Sequence, residues 1–136
     1  MKRFSISFFG RKIGFTLTEI LIVVIILGIL AVLALPMMVK TMEKAKTGEA
    51  VSNLSLIRTG QKIYFLEYGF FSGDIASLNV EDPNSGSAYF EYDVTSGVGA
   101  TSDFTATADR KDNAPSGYED DVYTIQKDGV ITGPLL

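Results

Sequence analysis

Twenty consecutive residues between Glu19 and Lys40 carry no charge, and they open with Ile20-Leu21-Ile22-Val23-Val24. As a helix they reach about 30 Å, the thickness of a bilayer's hydrocarbon core. A chain holding such a block must place it where its apolar side chains are covered and its backbone polar groups pair internally, which makes it a transmembrane candidate. Lys2, Arg3, Arg11 and Lys12 precede it, with no acid among the first fourteen residues. The positive-inside tendency then leaves the N-terminus in the cytoplasm; Lys40, Lys44 and Lys46 weaken that bias without reversing it. A secretory signal peptide has a shorter apolar region followed by a small-x-small site, and Ala31 and Ala34 have the wrong spacing for one.

The chain has 136 residues, enough for this segment and one small head. Removing the first fourteen takes four of the twelve basic residues and none of the sixteen acids. From Tyr68 onward only Arg110, Lys111 and Lys127 oppose twelve acids, which argues against nucleic acid as a partner of the head. The chain has no Cys, hence no disulfide, thiolate metal site or c-type haem attachment, and no His, the commonest general base.

Immediately before the apolar block stands Gly14-Phe15-Thr16-Leu17-Thr18-Glu19. Thr16-x-x-Glu19 fits a capping box at a helix start. A basic leader ending in Gly, followed by Phe and by Glu at the fifth position of an apolar helix, resembles the N-terminus of type IV prepilins and pseudopilins. The resemblance is strongest over residues 1–40. It implies that residues 1–14 are a leader removed by an inner-membrane prepilin peptidase between Gly14 and Phe15. It implies too that Phe15 becomes N-methylated and that Glu19 pairs with the N-terminal amine of a neighbouring identical subunit during filament assembly. A buried carboxylate is costly unless paired, so such a pair favours one axial register. Gly28 and Pro36 interrupt the block, and the resemblance makes Pro36 a kink and the stretch from Gly28 a place where the helix unwinds in filaments.

Past Lys40, Ala50, Leu54, Ile57, Gln61, Tyr64 and Tyr68 recur at helical intervals. With no turn-forming cluster between the halves, one helix is expected from Phe15 to Leu66, with Gly48 and Gly60 as local weak points. Residues 15–39 form its transmembrane and assembly half and 40–68 its amphipathic half. Residues 69–136 form a soluble head, because alternating segments at 88–94, 103–108 and 122–126 read as strands. Asp128-Gly129 supplies a turn from which Val130-Ile131 pairs back. Loops are expected at 83–87, 96–102 and 112–117. The fold class is therefore α+β, one long helix packed on a small antiparallel sheet, which the resemblance makes type IV pilin-like.

Asp112, Asn113, Glu119, Asp120 and Asp121 form the densest group of oxygen ligands and are the candidate calcium site, although no EF-hand spacing is present and solvated surface explains the same run. No nucleophile with a base and no phosphate loop is evident, so no enzymatic role and no other cofactor is expected. The reading is a structural filament subunit, held in the inner membrane as precursor and displayed at the cell surface or in the periplasm by a pilus or type II secretion machinery. A pseudopilin of a secretion system shares the N-terminal segment. Major pseudopilins commonly carry Asp-Pro-Trp-Gly, whereas Asp82-Pro83 here is followed by Asn84 and the chain has no Trp, which favours a pilin. A membrane-anchored binding module that never polymerises is the alternative from another class.

Overall fold

The computed structural model describes residues 14–96 and 103–136. The basic leader up to Ile13 and the expected loop beyond Ser96 lie outside the described residues. The chain divides into two compact units, one ending at Met37 and one covering Met38–Leu136.

Helix α1 (Leu17–Tyr68) contributes to both units. In the first it is the sole described element, and its apolar side chains are all exposed. Its most apolar 18-residue window has a mean hydropathy of 3.2 and none of it is buried, so by length and composition it is able to cross a membrane. The helix ends at Tyr68, the limit expected for its amphipathic half, and Gly69, with φ of +80° and an N–H bond to the Phe65 carbonyl (2.8 Å), closes it with a left-handed cap.

The second unit holds the core. Strands β1 (Phe90–Ser96), β2 (Phe104–Arg110), β3 (Val122–Gln126) and β4 (Ile131–Thr132) form one antiparallel sheet in the order β1-β2-β3-β4. Alternation decides the faces: Phe90, Tyr92 and Val94, then Phe104, Ala106 and Ala108, then Tyr123 and Ile125 turn inward. Ala50, Leu54 and Ile57 of α1 meet them in one core cluster. The expected α+β arrangement is thus present. β1 begins two residues later than 88–94 and β2 runs on to Arg110, because Phe90 and Arg110 are ladder partners. β4 starts at Ile131 because Val130 belongs to the turn, its N–H held by Asp128 Oδ1 at 3.0 Å.

Two short 3-10 turns, Ile75–Ser77 and Pro83–Ser85, punctuate the connection from α1 to β1, each capped by an aspartate, Asp74 and Asp82. The expected loop at 83–87 contains the second. Asn84 Oδ1 accepts the Tyr92 N–H (2.8 Å), and Asn84 Nδ2 donates to the Tyr92 carbonyl (2.9 Å). It therefore covers part of the sheet's exposed edge as a strand would.

Candidate processing and assembly site

Gly14, Phe15 and Thr16 precede α1 in non-helical backbone. Thr16 caps the helix: the Glu19 N–H donates to Thr16 Oγ1 (3.2 Å), while Glu19 Oε2 accepts from the Thr16 N–H and hydroxyl, both at 3.3 Å. This is the capping box expected from Thr16-x-x-Glu19, and it sets a carboxylate in the first turn, where the helix dipole favours negative charge. Phe15 is 78% exposed and Leu17 89%. A Cβ built on Gly14 would meet nothing within 4 Å. Gly14 and Phe15 therefore lie outside regular secondary structure, directly before a helix whose start is capped. Gly28 and Pro36 both lie inside α1.

In the second unit an ion pair that sequence reasoning missed joins α1 to the sheet. Glu43 and Arg110 are 3% and 6% exposed. Arg110 Nε donates to Glu43 Oε2 at 3.2 Å, and its Nη2 stands 3.2 Å from the same oxygen at an angle that makes an ion pair without a hydrogen bond. Nη1 donates to the Tyr89 carbonyl (2.7 Å) and to Asn113 Oδ1 (2.9 Å). Lys46 closes on Glu43 Oε1 at 2.6 Å. Burial alone would raise the Glu43 carboxyl; hydrogen bonds from Lys46 and Arg110, with their charges, outweigh it and hold it below the usual range. The burial of each, though not their pairing, had a signal: Glu43 continues the stripe of Thr47, Ala50 and Leu54 at helical spacing, and Arg110 continues the inward register of Phe104, Ala106 and Ala108.

The candidate calcium ligands are not brought together. Among the described residues no group of three or more carboxylates is placed to hold a metal ion. Asn113 is engaged by Arg110, and Glu119 takes the Gly117 N–H at 3.2 Å. Burial and the nearby Glu43 charge push the Asp121 carboxyl up, against the pull of Arg110.

One chain thus combines a capped Gly-Phe-x-x-x-Glu start, an apolar helix able to cross a membrane by length and composition, and an antiparallel head. The family model of the prokaryotic N-terminal methylation motif matches residues 10–35. The chain is similar to the type IV major pilin protein PilA of Myxococcus xanthus, 42% identical over 79 residues, which cover 58% of this chain and 36% of that protein. It is also similar to the type II secretion system core protein G of Aeromonas hydrophila, 40% identical over 57 residues, 42% of this chain and 40% of the relative. The type IV major pilin protein PilE of Neisseria gonorrhoeae is 38% identical over 76 residues, 53% of this chain and 43% of the relative. The matches thus span less than half the length of these relatives. No solved structure matches. The chain carries the N-terminal methylation motif and resembles type IV pilins and type II secretion core proteins.

Proposed function

We propose that the chain is the precursor of a type IV pilus-like filament subunit. Prepilin peptidase cuts it between Gly14 and Phe15 and methylates the new amine, and the apolar half of α1 passes from the inner membrane into a bundle of identical helices. The observation that carries this reading is the Gly14-Phe15 junction standing free of secondary structure four residues before Glu19, at the capped start of an apolar helix. Glu19 is satisfied locally by Thr16 in the single chain, so it is tolerated at the membrane rim. In the bundle it accepts the methylated amine of a neighbour, and the cost of burying either charge alone selects the register. Gly28 and Pro36 supply the weak points at which the helix adjusts on assembly, since Pro36 has no N–H for the Val32 carbonyl. The function is assembly. Similarity to two major pilins over 76 and 79 residues, against 57 for core protein G, supports a pilus over a secretion pseudopilus.

Mass spectrometry of the chain recovered from membranes of its host tests the proposal. The expected mature N-terminus is a methylated Phe15. An intact Met1 would leave the non-polymerising membrane anchor as the better reading.

A further inference from the structure

The head carries two recesses of opposite character. One, about 270 Å³, is lined by Glu49, Asn53 and Leu56 of α1 and by Glu81, Asp82 and Pro83, with no cation in its wall. The other, about 320 Å³, is lined by Lys62, Phe65 and Leu66 of α1, with Phe71 and Lys127. Beside the latter, Arg58 lies against the β3–β4 turn, its Nε and Nη2 donating to the Lys127 carbonyl at 3.2 and 2.9 Å. Leu66 is 85% exposed. Phe65 and Phe71 stack with centroids 4.7 Å apart, giving the second recess a rigid aromatic floor.

Their placement follows from helix geometry. At about 100° per residue, Glu49, Asn53 and Leu56 fall within roughly 60° of one another, and Arg58, Lys62 and Phe65 point roughly 180° away. The buried stripe of Ala50, Leu54 and Ile57 runs between these two flanks. The sheet repeats the opposition: Pro83 lies in the turn bonded to the outer edge of β1, and Lys127 follows β3 on the side of β4. Arg58, Lys62 and Lys127 stand together on the second flank; Lys46, Arg110 and Lys111 gather about Tyr89, where Lys111 Nζ donates to the Ser87 carbonyl (2.8 Å) at the border of the first recess. Among the described residues neither Arg58, Lys62 nor Lys127 has an ion pair, and neither does Glu49, Glu81 or Asp82; the ion pairs present are those of Glu43 with Lys46 and Arg110.

We infer that these flanks are the two halves of a head-to-head contact between successive copies of this chain. The basic, aromatic flank of one head receives the acidic flank of the next, with Leu66 seated on Leu56 and Pro83. The contact is heterologous: a surface meets a different surface on its neighbour. It therefore propagates, giving an open helical array where a two-fold contact would stop at a dimer. Charge complementarity within one sequence selects a second copy as the occupant, because the flank's cations find their counter-charges on the chain's own opposite side. The inference rests on the filament reading and adds how the heads meet in it.

The absence of cysteine makes cross-linking a clean test in the full chain, in cells of its host that assemble filaments. Lys62→Cys and Asp82→Cys in one chain, treated with a short bis-maleimide, are expected to give a ladder of trimers and larger species, and either variant alone none. Dimers from Lys62→Cys alone would indicate a two-fold contact and overturn the inference, as would filaments of the double variant that yield only monomer. A charge swap provides a second reading: Lys62→Glu with Lys127→Glu should lower filament yield about tenfold, several unfavourable charge contacts being introduced per junction. Adding Glu81→Lys and Asp82→Lys should restore yield to within about threefold, since the paired changes are coupled. Wild-type yield from the first variant, or no recovery in the second with equal processed chain in the membrane, would refute the contact. If the wild-type chain itself forms no filaments, the filament reading falls and this contact with it.

Discussion

Glu43 and Arg110 illustrate why a buried charge pair is not by itself a source of stability. Each loses water on folding, and the gain from pairing roughly offsets that loss when geometry is good. Here one Arg110 nitrogen forms an ion pair but no hydrogen bond, so removing both charges together should cost little, whereas removing one strands the other. Glu43→Leu alone is expected to lose about 3–5 kcal/mol, and Glu43→Leu with Arg110→Met to recover most of it. Urea denaturation of the detergent-solubilised chain, followed by tyrosine fluorescence because there is no Trp, measures both. The double variant also carries a pH signature. Glu43 has a folded-state pKa below its ordinary value, so its contribution is complete above the ordinary carboxylate range and is lost as pH falls through the depressed value. Asp121, pushed up by burial and by Glu43, acts oppositely and favours the fold as it protonates. Destabilisation on acidification therefore comes from the Glu43 side, and the double variant should show a flatter acid limb.

Helix α1 is better understood from its glycines than from its average propensity. Gly48 and Gly60 look alike in sequence, each a weak point in a helix, but they differ in surroundings. A Cβ at Gly48 meets nothing within 4 Å, while one at Gly60 comes within 2.8 Å of Val80 Cγ1 and 3.3 Å of Leu78 Cβ. Gly60 is where the returning chain crosses the helix. Gly48→Ala should raise stability by up to about 1 kcal/mol through helix propensity alone. Gly60→Ala should lower it by about 1–3 kcal/mol, the overpacking outweighing the same gain. Opposite shifts in the denaturation midpoint are the expected result. Gln61 belongs to the same crossing: its side chain donates to the Ser72 carbonyl (2.6 Å) and accepts the Ser72 N–H (2.9 Å), so a polar residue on the buried stripe fastens the chain that leaves the helix.

At the scale of the molecule, the two units divide the work. The unit ending at Met37 offers a wholly exposed apolar helix that membrane or neighbouring helices must cover, and the unit from Met38 closes its own core. Glu19 belongs to the first and is not a member of the core cluster of the second. Glu19→Ala should accordingly leave insertion, cleavage after Gly14 and head stability intact while filament assembly fails, as seen by electron microscopy beside an immunoblot for processed chain. The capping box makes the substitution slightly costly to the helix start, about 1 kcal/mol, too little to explain a complete loss of filaments. Normal filaments from this variant would remove Glu19 from assembly.

The sequence by itself determined what is written locally or periodically. The apolar block, the capping box of Thr16 and Glu19, the alternation of β1 to β3 and the Asp128-Gly129 turn each depend on residues a few positions apart, and each was legible to within about two residues. The Gly14-Phe15-x-x-x-Glu19 signature was legible for the same reason. What only the tertiary structure decided depends on residues far apart in the chain meeting in one register. Nothing near Glu43 names Arg110, 67 positions away, as its partner. Nor does the spacing of Lys62 reveal that Lys127 stands beside it, or that the carboxylates of Glu49 and Asp82 occupy the opposite flank. Those pairings come from a helix laid across a sheet, where packing of the core sets which side chains share a surface.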